Sequence, residues 1–294
     1  MNMMLNSTAL RSSRTAPLVI RASSLSGYPD CPRRWAARQI PREIVAAGYD
    51  LHQLPNGIGA AVGTAVHAGA ALALTEKAQT GNLPPLDVAT DCAVETVRKG
   101  IRDGVIYDST TGSLTVAEQQ VVRMTRAYNA AVAPLVQPVL VEERLEAQVT
   151  AEIIVSGQQD VLAREPHRVR DLKTGKRGNH KPQLGVYALL AKTHGYDVQG
   201  LAEDFIERAS IKKPQPDPQS FLHDLAGAET AAWSVIRHIQ TDLKIWREGD
   251  PVQGIEPGDP WAFAANPSSK LCSDRFCPAW GTAFCREHQT DDKE

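Results

Sequence analysis

The stretch GQQDVLAREPHRVRDLKTGK, residues 157–176, holds two strand-like runs around a short polar break at Pro166. The first run spans 152–163, and the second spans 167–173 before the turn Thr174-Gly175. So short a connection pairs the two strands and carries Asp160 toward Asp171. Side chains at i and i+2 of a strand share a face, so Asp171 and Lys173 project together. Two carboxylates on a sheet surface beside a lysine suit a hard divalent cation, because magnesium takes a few carboxylates plus waters and phosphate oxygens. A cation so held polarises a phosphate and lowers the pKa of a bound water. Lys173 would orient that water or hold the phosphate. A bare Asp-x-Lys is ordinarily a surface ion pair, so neighbouring residues decide its meaning.

Outward from this stretch, 139–149 reads as a preceding strand, with Gly157 suited to a turn or bulge between the two. A helix follows the motif, with Pro182 in its first turn and Gly195 just past its end. Another strand spans about 198–207, and after a Pro-rich link (213–218) comes a helix over about 228–248. Upstream, 59–77 is rich in Ala and Gly and reads as a tightly packed helix, with further helices at 86–102 and 114–132. Ser23, Ser24 and Ser26 offer caps to a short helix through Cys31, Trp35 and Ala36. Strands in the middle with helices around them predict an α/β fold: a central mixed sheet flanked by helices, with a helical insertion and a cysteine-bearing tail. The expected organisation is a disordered leader over 1–20 and a single domain over 21–290. Within that domain lie a helical part (55–135), a catalytic core (138–210), and a C-terminal helix and cysteine tail (227–288).

Composition narrows the class. The 294 residues are 42% hydrophobic and 22% charged, as in ordinary globular proteins. With 32 basic and 34 acidic residues the net charge is −2, which argues against a protein that coats duplexes non-specifically. It leaves room for an enzyme with a local positive track. No run of about 18 apolar residues is present, so no membrane span is expected. The N-terminus lacks the apolar centre of a signal peptide. Five cysteines without a secretion signal point to a reducing, cytoplasmic compartment, where clustered cysteines bind metal more often than they pair. There is no Gly-x-x-x-x-Gly-Lys-Ser/Thr loop, hence no motor of its own. Nor is there a helix-turn-helix or zinc-finger pattern for sequence-specific reading.

Gln183 and Tyr187 are four apart on the helix after Lys173 and share a face. His67 stands in GTAVHAGAALAL, where Gly63, Ala70 and Ala71 permit close approach of another element; such a histidine is equally a buried structural residue or a ligand. Together these residues resemble the RecB-type branch of the PD-(D/E)XK nuclease superfamily. Its Gly-x-x-x-His helix corresponds to Gly63 and His67, its strand aspartate to Asp160, its Asp-x-Lys to Asp171 and Lys173, and its Gln-x-x-x-Tyr helix to Gln183 and Tyr187. All occur in the family's order across roughly 22–287. The resemblance implies a restriction-endonuclease-like core, with His67, Asp160 and Asp171 ligating Mg²⁺ or Mn²⁺. Lys173 would complete catalysis with Gln183 and Tyr187 beside it. Glu143 is available for a further acidic contact, but the sequence does not separate it from Glu142. The implied activity is metal-dependent hydrolysis of DNA, as an exonuclease on ends or single strands in recombination, repair or phage DNA metabolism. It would act alone or with a separate helicase or recombinase. The rival is a non-catalytic DNA-binding or assembly subunit that retains the fold, and intact Asp160, Asp171 and Lys173 weigh against it.

Cys31 lies in SGYPDCPRRW, whereas Cys272, Cys277 and Cys285 lie in KLCSDRFCPAWGTAFC. One early and three late cysteines do not make a local zinc ribbon. The layout is similar to iron–sulfur variants of RecB-type nucleases, among them CRISPR-adaptation nucleases and helicase–nucleases, and this implies a [4Fe–4S] cluster on those four thiolates. The late spacing is wider than the family's usual one, which keeps Zn²⁺ as the alternative, with His288 replacing one thiol. Cys92 reads as a small buried hydrophobe. Arg33, Arg34, Arg38, Lys173, Lys176, Arg177, Lys181, Arg208, Lys212 and Lys213 are candidates for a track along a phosphate backbone. Trp35, Trp261 and Trp280 either stack on bases or pack in the core.

Overall fold

In chain order the elements are β1 (Leu18–Arg21), α1 (Ala22–Leu25), α2 (Pro32–Gln39), α3 (Pro41–Ala46), α4 (Ile58–Thr80), α5 (Leu86–Arg102) and α6 (Leu114–Ala131). They continue with β2 (Pro138–Gln148), β3 (Ile153–Ala163), β4 (Arg168–Thr174), α7 (Lys181–Thr193), β5 (Gly200–Ile206), β6 (Gln219–His223) and α8 (Leu225–Glu248). The computed structural model describes residues 17–285 except 165 and 176. Most of the expected leader (1–16), Lys176 and His288 therefore lie outside the described residues.

The sheet is mixed and six-stranded, and β3 is its spine. β2 pairs antiparallel with β3 from Pro138↔Ala163 to Gln148↔Ile154 and so occupies one edge along its length. The other edge is shared. β1 runs parallel to Ile153–Ser156, and β4 antiparallel to Val161–Ala163. Among the described residues, 157–160 of β3 have no ladder partner on that edge. β4 continues parallel with β5, from Arg168↔Gly200 to Thr174↔Ile206, and α7 makes the crossover between them. β6 closes the far edge, antiparallel to β5.

Helices cover both faces, as the amphipathic patterns require. On one side α1, α2, α7 and α8 pack against the sheet around Leu162, Val169, Leu184, Leu190, Ile236 and Trp246. On the other, α4, α5 and α6 pack around Val62, Val66, Val97, Met124, Val161 and Leu172. By length and composition alone α4 could cross a membrane. Here it is a core helix, with Val62, Ala65, Val66, Ala70 and Leu74 buried.

Three sequence expectations need correction. The leader was drawn too long, because Leu18–Arg21 adds a parallel strand and seats Ile20 in the core. The helix through Trp35 is capped by none of the serines; Cys31 Sγ itself accepts the Arg34 N–H. Gly157 makes no turn between β2 and β3. It sits inside β3, where an added Cβ would stand 2.8 Å from Tyr187 Cε1, so the glycine lets α7 lie close on the strand. Of the two roles open to Trp35, the structure shows the core one, with the ring edge-on to Tyr28 at 5.3 Å between centroids.

The contact between α7 and α8 is as tight as backbone allows. A Cβ on Gly185 would stand 2.1 Å from the Ala228 carbonyl oxygen, which cannot move without shifting α8. Gly185→Ala should therefore cost about 3 kcal/mol or more, at or beyond the usual range for overpacking. Gly112, whose Cβ position is open, is the control, and Gly112→Ala should be near neutral. Urea unfolding of the two variants compares them directly.

Candidate active site

Close packing brings α4 to the sheet. A Cβ on Gly63 would meet Thr174 Oγ1 at 2.9 Å, so the glycine lets α4 rest on the end of β4. One helical turn later His67 reaches β3, with its Nδ1 3.1 Å from Asp160 Oδ1. Asp160 lies in the unpartnered stretch of β3. Its Oδ2 accepts the Leu172 N–H at 2.5 Å, a side-chain acceptor where a continued ladder would offer a backbone carbonyl. β3 and β4 part at this point, and the carboxylate bridges the split.

Asp160 bonds toward α4, whereas Asp171 bonds toward α7. Leu172 packs with the α4 layer, so Asp171 and Lys173 take the opposite face together, as their spacing predicted. Lys173 Nζ is 2.8 Å from Asp171 Oδ2 and donates to Gln183 Oε1 at 3.1 Å. Gln183 Nε2 donates to Asp171 Oδ1 at 3.4 Å and to Tyr187 Oη at 2.9 Å. The two carboxylates thus meet through the split from opposite sides of the sheet.

Glu142 was the undecided residue. The pairs Val141↔Val161 and Glu143↔Gln159 set it on β2 opposite Asp160 of β3, while Glu143 is exposed. Its φ of 51° is the one positive value at a non-glycine residue among the described residues, a conformation that costs about 1–3 kcal/mol and concentrates at functional sites. Gln158 Nε2 donates to Glu142 Oε2 at 2.9 Å. Among the described residues, His67, Glu142 and Asp160 each place a ligand atom within 4.8 Å of the others. One imidazole and two carboxylates, with Asp171 adjacent, suit Mg²⁺ or Mn²⁺, the nitrogen donor favouring the latter.

The electrostatics fit a cation site. Burial alone would lower the His67 pKa, but the Asp160 charge and hydrogen bond, then Asp171 and Glu142, hold it up at about 9. Burial, then the Asp160 charge, raises Glu142 to about 7 against the pull of His67. Burial also raises Asp171 to about 6, opposed by Lys173 and supported by Asp160. Asp160 is held below the usual carboxylate range: burial opposes this, but His67, Lys173 and the Leu172 N–H outweigh it. Without a metal, imidazolium and trapped protons neutralise the cluster.

A sequence model of the PD-(D/E)XK nuclease superfamily matches residues 20–285. The chain belongs to that superfamily. No curated protein is a significant match to the sequence. The fold is similar to that of a putative exonuclease from Eubacterium rectale, with TM-score 0.57 and 10% identity over 92% of this chain and 93% of that one. A likeness to LHK-Exo in complex with dAMP covers 65% of this chain and 97% of that one at 12% identity, but its TM-score of 0.27 carries no weight.

In this PD-(D/E)XK chain Cys31, Cys272 and Cys277 lie together where α2 meets the C-terminal tail. Cys31, Cys277 and Cys285 are buried. Arg34 Nη1 donates to Ser269 Oγ, and Arg38 Nη2 to the Phe276 carbonyl. Burial, followed by the neighbouring sulfurs of Cys277 and Cys31, pushes the Cys272 thiol up. Cys92 is half-buried in α5. Two expected track residues are structural instead. Arg33 is buried and donates to the Phe263 carbonyl, and Arg208 clamps Asp108 at 2.8 Å and Thr111 at 2.6 Å.

The pKa directions fix a pH dependence. Asp171, Glu142 and His67 all bind protons more tightly when folded, so in metal-free protein their stabilisation is full at low pH and lost as pH rises through about 6, 7 and 9 respectively. Asp160 runs the other way and loses its contribution only on acidification. A divalent ion must displace those protons, so Mn²⁺ affinity should rise about tenfold or more between about pH 5 and pH 8. Calorimetry in buffers of different ionisation enthalpy should show protons released on binding. Affinity flat across that range would remove these groups from the ligand set.

Proposed function

We propose that this PD-(D/E)XK protein is a metal-dependent deoxyribonuclease of the RecB-type branch, working as an exonuclease on DNA ends or single strands. The observation that carries the reading is the convergence of His67, Glu142 and Asp160, with Asp171 and Lys173 beside them. In this reading His67, Asp160 and Asp171 hold Mg²⁺ or Mn²⁺, and Glu142 adds a further carboxylate. The ion supplies Lewis-acid polarisation of the scissile phosphate and a bound water of lowered pKa. Lys173 places its ammonium against the phosphate or the attacking water. Gln183 and Tyr187 are positioning residues: the Gln183 amide accepts from Lys173 and donates to Asp171 and Tyr187, which fixes the orientation of both reacting side chains. Any motor would be a separate helicase or recombinase.

The reading extends to the iron–sulfur branch. Cys31, Cys272, Cys277 and Cys285 would hold one [4Fe–4S] cluster, with Zn²⁺ the alternative occupant. The support is that α2, which begins just after Cys31, is already hydrogen-bonded to the tail that carries the other three. Such a cluster ties distant parts of the chain together.

End-labelled linear and circular single-stranded DNA, with and without Mg²⁺ or Mn²⁺, tests the activity. Linear DNA should be shortened from an end only when metal is present, and circles should survive. Cut circles would make the enzyme an endonuclease, and intact linear DNA in every condition would sink the nuclease reading. Asp171→Asn and Lys173→Ala should each lower the rate by about 100-fold or more, some 2.7 kcal/mol of barrier. Their circular dichroism and melting should stay close to wild type. For the staple, anaerobically purified protein should be brown with about four irons per chain, and Cys31→Ser should bleach it. Stoichiometric zinc in colourless protein would assign the staple to zinc instead.

A further inference from the structure

A cavity of about 1000 Å³ opens between β1, α2, the start of α3 and β2. Five arginines line it: Arg21, Arg34, Arg38, Arg42 and Arg144. Arg34 is paired with Asp30 at 2.8 Å. The other four are exposed, and among the described residues none of them is in an ion pair. Arg38 donates to the Phe276 carbonyl, and Arg144 to Ser156 Oγ and Gln158 Oε1, all neutral acceptors. Two carboxylates also line the cavity. Glu43 is held by Arg247 at 2.8 Å, and among the described residues Glu146 is the lining carboxylate without such a partner. Burial, and then the nearby Arg34 charge, push the Arg38 pKa down. Val19, Leu271 and Phe276 give the same wall a partly exposed apolar rim.

The cavity is wired to the candidate active site through one side chain. Gln158 accepts from Arg144 Nη2 at 3.1 Å and donates to Glu142 Oε2 at 2.9 Å. Glu142 and Arg144 are two residues apart on β2, about 7 Å along a strand.

Resting on the nuclease reading above, we propose that this cavity seats a single nucleic-acid strand beside the scissile bond, its phosphates on Arg21, Arg38, Arg42 and Arg144. Its bases lie against Val19, Leu271 and Phe276. Basic grooves that track a backbone beside apolar side chains are the general design for single strands. The strand that leaves the cavity along β2 meets Glu142 and then Asp160.

The test uses full-length protein and dye-labelled oligonucleotides of known length. Binding is followed by anisotropy in the cleavage-blocked Asp171→Asn background, and hydrolysis in the otherwise wild-type chain. The Arg21→Glu/Arg42→Glu variant should bind a long single strand about tenfold or more weaker. Each lost phosphate contact should also lower the log–log salt slope by about 0.7. Hydrolysis of the small diester bis(4-nitrophenyl) phosphate should be unchanged, because neither arginine touches the reacting atoms. Arg42→Gln, which removes one charge without reversing it, should give a smaller loss in the same direction. Unchanged affinity and slope in both variants would overturn the proposal. So would duplex bound more tightly than single strand by wild type and weakened equally by the substitutions. A wild-type chain that hydrolyses neither DNA nor the diester would defeat the nuclease reading instead, and the binding measurements would still report on the cavity.

Discussion

The site depends on a break in the sheet. β3 is held along one edge by β2 but shared on the other between β1 and β4, and neither reaches 157–160. A strand edge with unmet backbone groups is costly unless something satisfies it. Here the Asp160 carboxylate meets one such group on the facing strand by accepting the Leu172 N–H of β4. That bond fixes how far β3 and β4 separate, and so the distance between a carboxylate bonded toward α4 and one bonded toward α7.

Everything around the break serves to hold charge there. Glycines set the spacing of the layers: Gly63 lets α4 descend onto β4, and Gly157 lets Tyr187 lie against β3. From one side comes His67, from the other Lys173, each bonded to an aspartate. Three carboxylates gathered this closely repel one another, and in metal-free protein the repulsion is met by protonation. A divalent ion would replace those protons and release the positive charge of His67. The left-handed backbone at Glu142 belongs to the same balance, since a strained residue persists only where its surroundings enforce it.

Much of this was legible in the sequence, for identifiable reasons. Long periodic elements such as α5, α6, β3 and α8 appear close to their expected bounds because burial of one face dictates the period. Asp171 and Lys173 share a face because a pleated strand allows nothing else. Short elements escaped. β6 is an edge strand entered from a proline-rich link (Pro214, Pro216, Pro218), and β1 is four residues next to an unpatterned leader. Glu142 could not be told from Glu143 because residue type was identical and only the cross-strand register separates them. The arginine-lined cavity gathers residues from α2, β1, α3 and β2, and no local pattern announces that assembly.

The central claim is that the split between β3 and β4 is a divalent-cation site, and crystals of the protein grown with Mn²⁺ test it most directly. Anomalous scattering should place one ion between Asp160 and Asp171, with His67 and at least one carboxylate oxygen within about 2.5 Å. The direct His67–Asp160 contact should lengthen as both turn to the ion. The opposite result is an empty split at saturating Mn²⁺ with His67 still bonded to Asp160. That would make the cluster a structural salt bridge and contradict the account.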